Sequence, residues 1–502
     1  MLQQFYQGHR PLIIILSTLI ALCFSISGLL TPSIEGLDSS HNVMDGLFFY
    51  DLLSQDLWDM QSLGELLHYP LNYHKQYPAL GFVYWPPFWP AVESIFFGLF
   101  GSTLLAAQLS ITFFTLIFCL SFVSICSRVI NVWLSFATLV ALFTTREFFF
   151  SANTIMRDMP AVATMTATLW TALKWQESTT PKRWLGLLVV VATISIYTKQ
   201  TTSLMLLAIA SALLIQRPST FKEKPTLVAM LSFSILALPL IVFTLTTANA
   251  NLGQSFGSNT TAIVQGYKGL DRWSMEGWTY YCKWFFRESP GLTLLALVGL
   301  YSIYRRVRGK TASLVEITLI TWLVLFYVLF SFFDNKSARF TTLVMPAISI
   351  LAAIGINDII QSRTALSKVP RIAIGIFLIL MLSIPHAYKT YNAMIPRMKN
   401  IDKATTLILN QTKNTKTDDC IAYTGKFKQV FVQSIRRQDL DRRLSIVDGA
   451  DQDSKNCSVH VFEKADLNTS VQTKLNNQYQ LLKTSFFSPG KERKLIVYYK
   501  GK

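Results

Sequence analysis

The chain has 502 residues, of which 51% are hydrophobic and only 15% charged, and its formal net charge is +17. Mean hydropathy is positive, which excludes a soluble globular protein and points to a polytopic membrane protein. In a soluble chain this positive charge would suggest nucleic acid. Here the basic residues fall mostly in short loops between apolar runs, where they set topology and meet anionic lipid, so no nucleic-acid partner is expected.

In chain order, apolar runs long enough to cross a bilayer, or nearly so, are 12–30, 103–126, 132–150, 158–175, 184–198, 200–216, 226–247, 291–304, 312–333, 340–360 and 371–388. The first lacks a small-residue cleavage site and is read as a retained helix. The stretch 86–100 is short, opens with prolines and contains Glu93. Arg10 precedes the first run. Five later basic clusters are Arg128, Lys174/Lys182/Arg183, Arg217/Lys222/Lys224, Arg305/Arg306/Arg308/Lys310 and Arg363/Lys368/Arg371. All become cytoplasmic only if 86–100 does not cross. It is therefore read as an interfacial helix on the outer face, with Trp85, Trp89 and its phenylalanines at headgroup depth. The alternative is a twelfth span.

The expected fold is all-α and polytopic, with about eleven transmembrane helices and a cytoplasmic N-terminus, followed by a small extracytoplasmic α/β domain. Residues 1–389 form the membrane module, with outer loops at 31–102 and 248–290, and 390–502 form the outer domain. In that tail CIAYTG, VFVQSI, VHVFE and KLIVYYK read as strands, and DKATTLILNQT and SVQTKLNNQYQLL as helices. Cys23, Cys119 and Cys126 lie in spans and read as packing residues. Cys420 and Cys457 share the outer tail, where a disulfide between them is open.

The chemistry is sought just after the first span, in IEGLDSSHNVMDGLFFYDLL, which holds Glu35, Asp38, His41, Asp45 and Asp51. A carboxylate cluster beside lipid is costly unless it meets water, a cation or a reacting group. From Val43 the apolar residues recur at helical spacing, which suggests an amphipathic helix lying on the membrane with Asp51 and Asp56 on its wet face. On this topology Arg157–Asp158, Lys199, and Asp334, Lys336 and Arg339 reach the same outer interface. Each alone has a plainer reading: a snorkelling cation, a capping aspartate or a solvated loop. Together they suit transfer from a lipid-linked phosphate. A base takes the proton of the incoming group, and cations hold the departing phosphate.

Five segments carry a resemblance. They are LDSSHNVMDG, YPALGFVYWPPFWPAVESIFFGLFG, SANTIMRDMPA, IYTKQTTSLMLLAIA and SARFTTLVMPAISILAAIG, spread in order over residues 10–360. In order and placement they resemble the GT-C superfamily of integral-membrane glycosyltransferases, in the branch of dolichyl-phosphate-mannose protein mannosyltransferases and lipid A aminoarabinose transferases. The resemblance implies Asp38 as catalytic base, with Asp45 as rival because Asp38 is followed by Ser39 where relatives have an adjacent Asp-Glu pair. It implies that Asp158 positions the acceptor or a cation. Lys199, Lys336 and Arg339 would hold the donor phosphate, and His41, Tyr77 and Trp85 would line the substrate site. Trp85 stands where relatives often carry Lys or His before Pro-Pro.

The implied reaction moves a sugar from a polyprenyl-phosphate donor to a lipid, glycan or protein acceptor, with inversion, at the outer face of the plasma (inner) membrane. No cofactor is demanded by a motif, and a divalent cation is compatible with the site. A transporter or flippase of lipid-linked sugars, or a polysaccharide ligase, would share the span count or the outer face. A transporter would more often show internal repeats and charges at mid-membrane.

Overall fold

The computed structural model describes residues 10–81, 84–246, 268–362, 368–392, 398, 400–412, 420–439, 444–449, 457–466, 480–488 and 491–499. The helices are α1 (Arg10–Leu30), α2 (Leu37–Asp51), α3 (Leu63–Gln76), α4 (Phe88–Phe100), α5 (Leu104–Cys126), α6 (Val132–Phe143), α7 (Arg146–Asn153), α8 (Asp158–Glu177) and α9 (Pro181–Thr198). There follow α10 (Ser203–Gln216), α11 (Lys224–Thr246), α12 (Met275–Glu288), α13 (Pro290–Arg308), α14 (Leu314–Phe332), α15 (Met345–Gln361), α16 (Lys368–Asn392), α17 (Ile401–Thr412) and α18 (Lys428–Gln438). The strands are β1 (Lys268–Gly269), β2 (Asn335–Lys336), β3 (Cys420–Thr424), β4 (Ser445–Asp448), β5 (Val459–Glu463), β6 (Gln480–Ser488) and β7 (Lys491–Tyr499).

Every apolar run read as a span falls on helix, because a backbone in lipid must satisfy its polar groups internally. Among the described residues, Pro11–Leu30, α5, α11 and α14 are each long and apolar enough to cross a bilayer alone. The run 132–150 is not one straight helix: α6 and α7 meet at 83°. Several others are shorter, such as Met345–Gln361, or carry charges in their end turns, such as α8 with Asp158, Lys174 and Glu177. The protein is a multi-pass membrane protein of helices.

Local chemistry sets the ends. Thr103 caps α5 through Ala106 N at 3.1 Å, and Ser313 with Glu316 forms a capping box on α14. Two glycines let α13 and α15 touch. A Cβ on Gly299 would lie 2.0 Å from Leu351 O, and one on Gly355 would lie 2.4 Å from Leu295 O.

Three expectations are corrected here. Helix α2 does not lie on the membrane: Val43, Met44, Leu47 and Phe48 are buried, and the helix packs against α4 inside the protein. Asp51 is not on a wet face. It is buried, held by Tyr73 Oη at 2.7 Å and by Arg436 Nε at 3.0 Å. Trp89 does not face the lipid headgroups either. It is fully buried and donates to Ser110 Oγ at 3.2 Å. Of the cysteines read as packing residues, Cys119 and Cys126 are buried and Cys23 is exposed.

The C-terminal sheet has the order β4-β3-β5-β7-β6. The first three strands run parallel, and β7 pairs antiparallel with β5 and β6. VFVQSI was expected as a strand but lies in α18. Its apolar residues also fit a helix: Phe427, Val430, Phe431 and Ile435 recur at three- and four-residue steps. SVQTKLNNQYQLL lies outside the described residues except its last three, which open β6. This sheet region docks on the first loop through the buried Arg436–Asp51 pair, with Arg436 also 5.8 Å from the Tyr77 ring.

Cys420 and Cys457 form a disulfide across 37 residues, tying β3 to the segment entering β5. Closing such a loop restricts the unfolded chain and stabilises by roughly 2–4 kcal/mol. Reduction, or Cys420→Ser with Cys457→Ser, is expected to expose the C-terminal region to protease while leaving the helical bundle resistant. Limited proteolysis with and without reductant measures this, and identical digestion patterns would contradict it.

Candidate active site

Helix α2 starts at Leu37, so Asp38, Asn42 and Asp45 fall at i, i+4 and i+7 on one face. That face looks towards the turn before α8, residues 154–157, and the short helical segment Ala338–Leu343. Lys199 enters from the break between α9 and α10, where the backbone turns extended at φ −159°, ψ 127°.

Asp158 is the hub. Its Oδ1 accepts from Lys199 Nζ at 2.6 Å, and its Oδ2 faces Arg339 Nε at 3.2 Å. Arg339 then reaches Asp38 Oδ2 through Nη1 at 3.0 Å. Two carboxylates and two cations thus alternate in a chain: Lys199, Asp158, Arg339, Asp38. With Asn42, Trp85, Met156 and Arg157 they line a cleft of about 20 Å³, room for roughly one water. The Asp38 side chain is 39% exposed, whereas that of Asp158 is 3% exposed. Asp38 is the carboxylate that an incoming group can reach.

A second layer holds this one. Arg157 donates from Nη2 to Asp45 Oδ2 at 2.8 Å and from Nε to Asn42 Oδ1 at 2.8 Å. Gly81 N donates to Asp45 Oδ1 at 2.7 Å. The Arg157 guanidinium also sits 5.2 Å from the Trp85 ring and 5.6 Å from the Trp89 ring. Asp45 is completely buried, and burial raises its carboxyl pKa against the opposing pull of Arg157 and Gly81 N–H. Behind it, Glu93 is also buried, with neither carboxyl oxygen hydrogen-bonded. A Cβ on Gly46 would lie 2.4 Å from Glu93 Oε2 and 2.9 Å from Phe97 Cε2, so a side chain here would have to displace both.

Of the residues expected from the sequence, Asp38, Asp158, Lys199, Arg339 and Trp85 come together in the cleft. His41 stands beside it. Its Nδ1 is 2.7 Å from Ala79 O, its ring meets Trp85 edge-on, and burial lowers its pKa. Asp45 faces Arg157 instead of the opening. Tyr77 is fully buried beside Tyr73 and Arg436, away from the cleft lining.

Lys336 is the clearest departure. It is fully buried, and its ammonium donates to Phe330 O at 3.1 Å and to Ser331 O and Phe333 O. It therefore closes the C-terminal carbonyls of α14 instead of facing a phosphate. Burial pushes its pKa down to about 8. Its neighbour Asp334 is held by Arg272, with Nη2 to Oδ2 at 2.6 Å. Asn42 and Met156 line the cleft and were not expected there. The i, i+4 spacing of Asp38 and Asn42 was the available signal for Asn42.

Comparison with known proteins follows from this geometry. Residues 85–243 match the family model described as dolichyl-phosphate-mannose-protein mannosyltransferase. The fold is similar to ArnT from Cupriavidus metallidurans in the apo state, with TM-score 0.61, 12% identity, and 98% of each chain covered. The chain has the GT-C fold. The resemblance drawn from the five sequence segments is thereby borne out. ArnT from the same organism bound to undecaprenyl phosphate is matched with TM-score 0.60 and 13% identity, again over 98% of each chain. The archaeal oligosaccharyltransferase AglB from Archaeoglobus fulgidus, in complex with an inhibitory peptide and a dolichol-phosphate, is matched with TM-score 0.56 and 11% identity, over 99% of this chain and 75% of that one. No curated protein sequence matches the chain. Within this GT-C bundle the Asp38–Arg339–Asp158–Lys199 chain gathers residues from α2, α8, the α9–α10 break and the segment before α15.

Proposed function

We propose that the chain is a glycosyltransferase that moves a sugar from a polyprenyl-phosphate donor to a hydroxyl or amine acceptor at the outer face of the plasma membrane. The reading rests on one observation above all: Arg339 bridges Asp38 and Asp158 while Lys199 holds the other oxygen of Asp158. The two GT-C neighbours whose names include a bound polyprenyl or dolichol phosphate support a lipid-linked donor.

In the proposed reaction the acceptor oxygen or nitrogen attacks the anomeric carbon from the face opposite the phosphate. A bond forms to that carbon as the carbon–oxygen bond to phosphate breaks, which inverts the centre. Polyprenyl phosphate leaves with the electron pair, and the acceptor proton passes to Asp38. Lys199 and Arg339 meet the charge that grows on the phosphate. Asp158 holds both cations at fixed positions, so little reorganisation is needed as the charge develops. A cleft of about 20 Å³ does not admit a phosphate as it stands. Donor binding therefore opens the Arg339–Asp38 pair and frees the base in the same step.

The test is direct. Purified protein with a labelled polyprenyl-phosphate sugar consumes the donor and glycosylates an acceptor fraction from the envelope. Movement of intact donor between leaflets with no product would favour a flippase, and use of a pyrophosphate-linked oligosaccharide alone would favour a ligase. Running the assay with chelator and with added magnesium reads any contribution of a divalent cation.

Arg339→Ala is expected to cost about 2–4 kcal/mol of transition-state stabilisation. Arg339→Lys restores only part of it, because an ammonium cannot span Asp38 and Asp158 through two nitrogens of one plane. Steady-state kinetics with the lipid donor measures both. Wild-type rates in both variants would make Arg339 an anchor and remove it from the chemistry.

A further inference from the structure

Helix α2 carries Asp38 in its first turn, and its own chain connections do little to fix it. It is entered from the non-helical residues 31–36 and leaves into the π-helical turn Leu52–Asp56, in which no residue is buried. Its middle is pinned. Asp45 is held by Arg157 and by Gly81 N–H, and the helix packs on α4. A rod pinned near its middle can still rock. Asp38 lies seven residues before Asp45 and Asp51 six residues after it, about 10 Å and about 9 Å of helix rise. The two arms are nearly equal, so a shift at the Asp51 end appears at Asp38 with similar size.

Both ends are held by the C-terminal region. Just before α2, Ile34 O accepts from Met398 N at 2.7 Å, and both residues are buried. At the other end Arg436 of α18 forks onto Asp51, with Nε to Oδ2 at 3.0 Å and Nη2 to Oδ1. Each of these two side chains is 3% exposed. Tyr73 Oη donates to the same carboxylate at 2.7 Å, and Arg436 Nη1 donates to Asp439 O at 3.3 Å. The guanidinium is therefore fixed to the end of its own helix as well as to α2. A planar bidentate pair away from water sets distance and angle together. A buried ion pair adds little net stability over an apolar pair of the same shape. What it supplies here is geometry, because it removes the rocking that the pin at Asp45 leaves open.

We propose that the C-terminal region is a clamp that sets the position of Asp38 through α2, with Arg436 as the positioning residue. The proposal rests on Asp38 being the base of the transfer reaction. Arg436 holds the arm of α2 remote from Asp38 and is not among the residues lining the cleft, so it acts only through the helix. A reacting group misplaced by ~1 Å can lose about 100-fold in rate.

The test uses the full chain in detergent. Asp51→Asn combined with Arg436→Gln removes the charged fork without leaving either charge buried alone, and a melting curve confirms that the paired variant is folded. Hydrogen exchange of the backbone amides of residues 37–45 is expected to quicken about fivefold or more. Single-turnover transfer from a labelled polyprenyl-phosphate sugar is expected to slow about 10- to 100-fold. Donor affinity should stay at the wild-type value, because Lys199 and Asp158 lie outside α2. Arg436→Lys keeps a charged bond to Asp51 and should fall between the paired variant and wild type. Met398→Pro deletes the N–H at the other end and should give the same pattern. Unchanged exchange of residues 37–45 in the paired variant and in Met398→Pro would overturn the clamp. Faster exchange with a wild-type transfer rate per folded molecule would overturn the positioning role. Wild-type protein that transfers no sugar would sink the proposed function instead, and the exchange measurement would still decide the clamp.

Discussion

Asp38→Asn is expected to lower sugar transfer by about 100- to 10,000-fold while folding and donor binding persist. Asparagine keeps the shape of the side chain and its place beside Arg339 but cannot take a proton. Asp38 is the carboxylate of the cleft with substantial exposure, and its partner Arg339 is also part exposed. Asp158 is enclosed by two cations and cannot be reached without displacing one of them. The measurement is single-turnover transfer with labelled donor, alongside donor binding by the same variant. If Asp38→Asn transfers at near-normal rate, the base lies elsewhere and the mechanism proposed above fails at its first step. A variant that loses donor binding as well would show Asp38 to be a structural partner of Arg339.

The second large effect concerns folding. Arg157→Met leaves Asp45 buried with its charge partner gone, and breaking a buried pair in this way typically costs about 3–5 kcal/mol. Arg157 also loses its bond to Asn42 and its place against Trp85 and Trp89, so the turn before α8 loses its tie to α2. The expected result is a strongly lowered melting temperature in detergent. Asp45→Asn should also lower stability, since Arg157 then keeps a buried charge without the carboxylate it contacts. Per folded molecule, the Asp45→Asn enzyme should transfer at a rate close to wild type. A stable Asp45→Asn variant with no activity would reverse the roles of the two aspartates and move the base seven residues along α2.

Much of this was open to reading from the sequence, and the reason is physical. Apolar runs of about twenty residues become helices in lipid, because a helix satisfies its backbone hydrogen bonds within one segment. Basic loops bias orientation, and the five ordered segments carried the GT-C resemblance through their residue types alone. Asp38, Asp158, Lys199 and Arg339 were nameable as candidates for the same reason: charges at the ends of apolar helices are costly, so they point to where a site is to be sought.

What the sequence left undetermined depended on contacts between distant residues. Asp38 and Asp45 share a helix face, and nothing local says which stays exposed. That was decided by Arg157, 112 residues further on, which closes over Asp45. Lys336 and Arg339 are three residues apart and equally basic. The pairing of β2 with β1 and the turn after α14 send one ammonium to backbone carbonyls and the other cation to the cleft. Asp51 reads as a wet residue until Arg436, 385 residues away, buries it. VFVQSI carries both a two-residue and a three-to-four-residue pattern, and as a helix it packs against α17 and α2, with Phe431 stacked on Tyr423 of β3. Composition and periodicity determine which segments are helical and where polar groups are expensive. Which of two like charges meets solvent and which meets a partner is a property of the assembled bundle, because it depends on what the rest of the chain brings alongside.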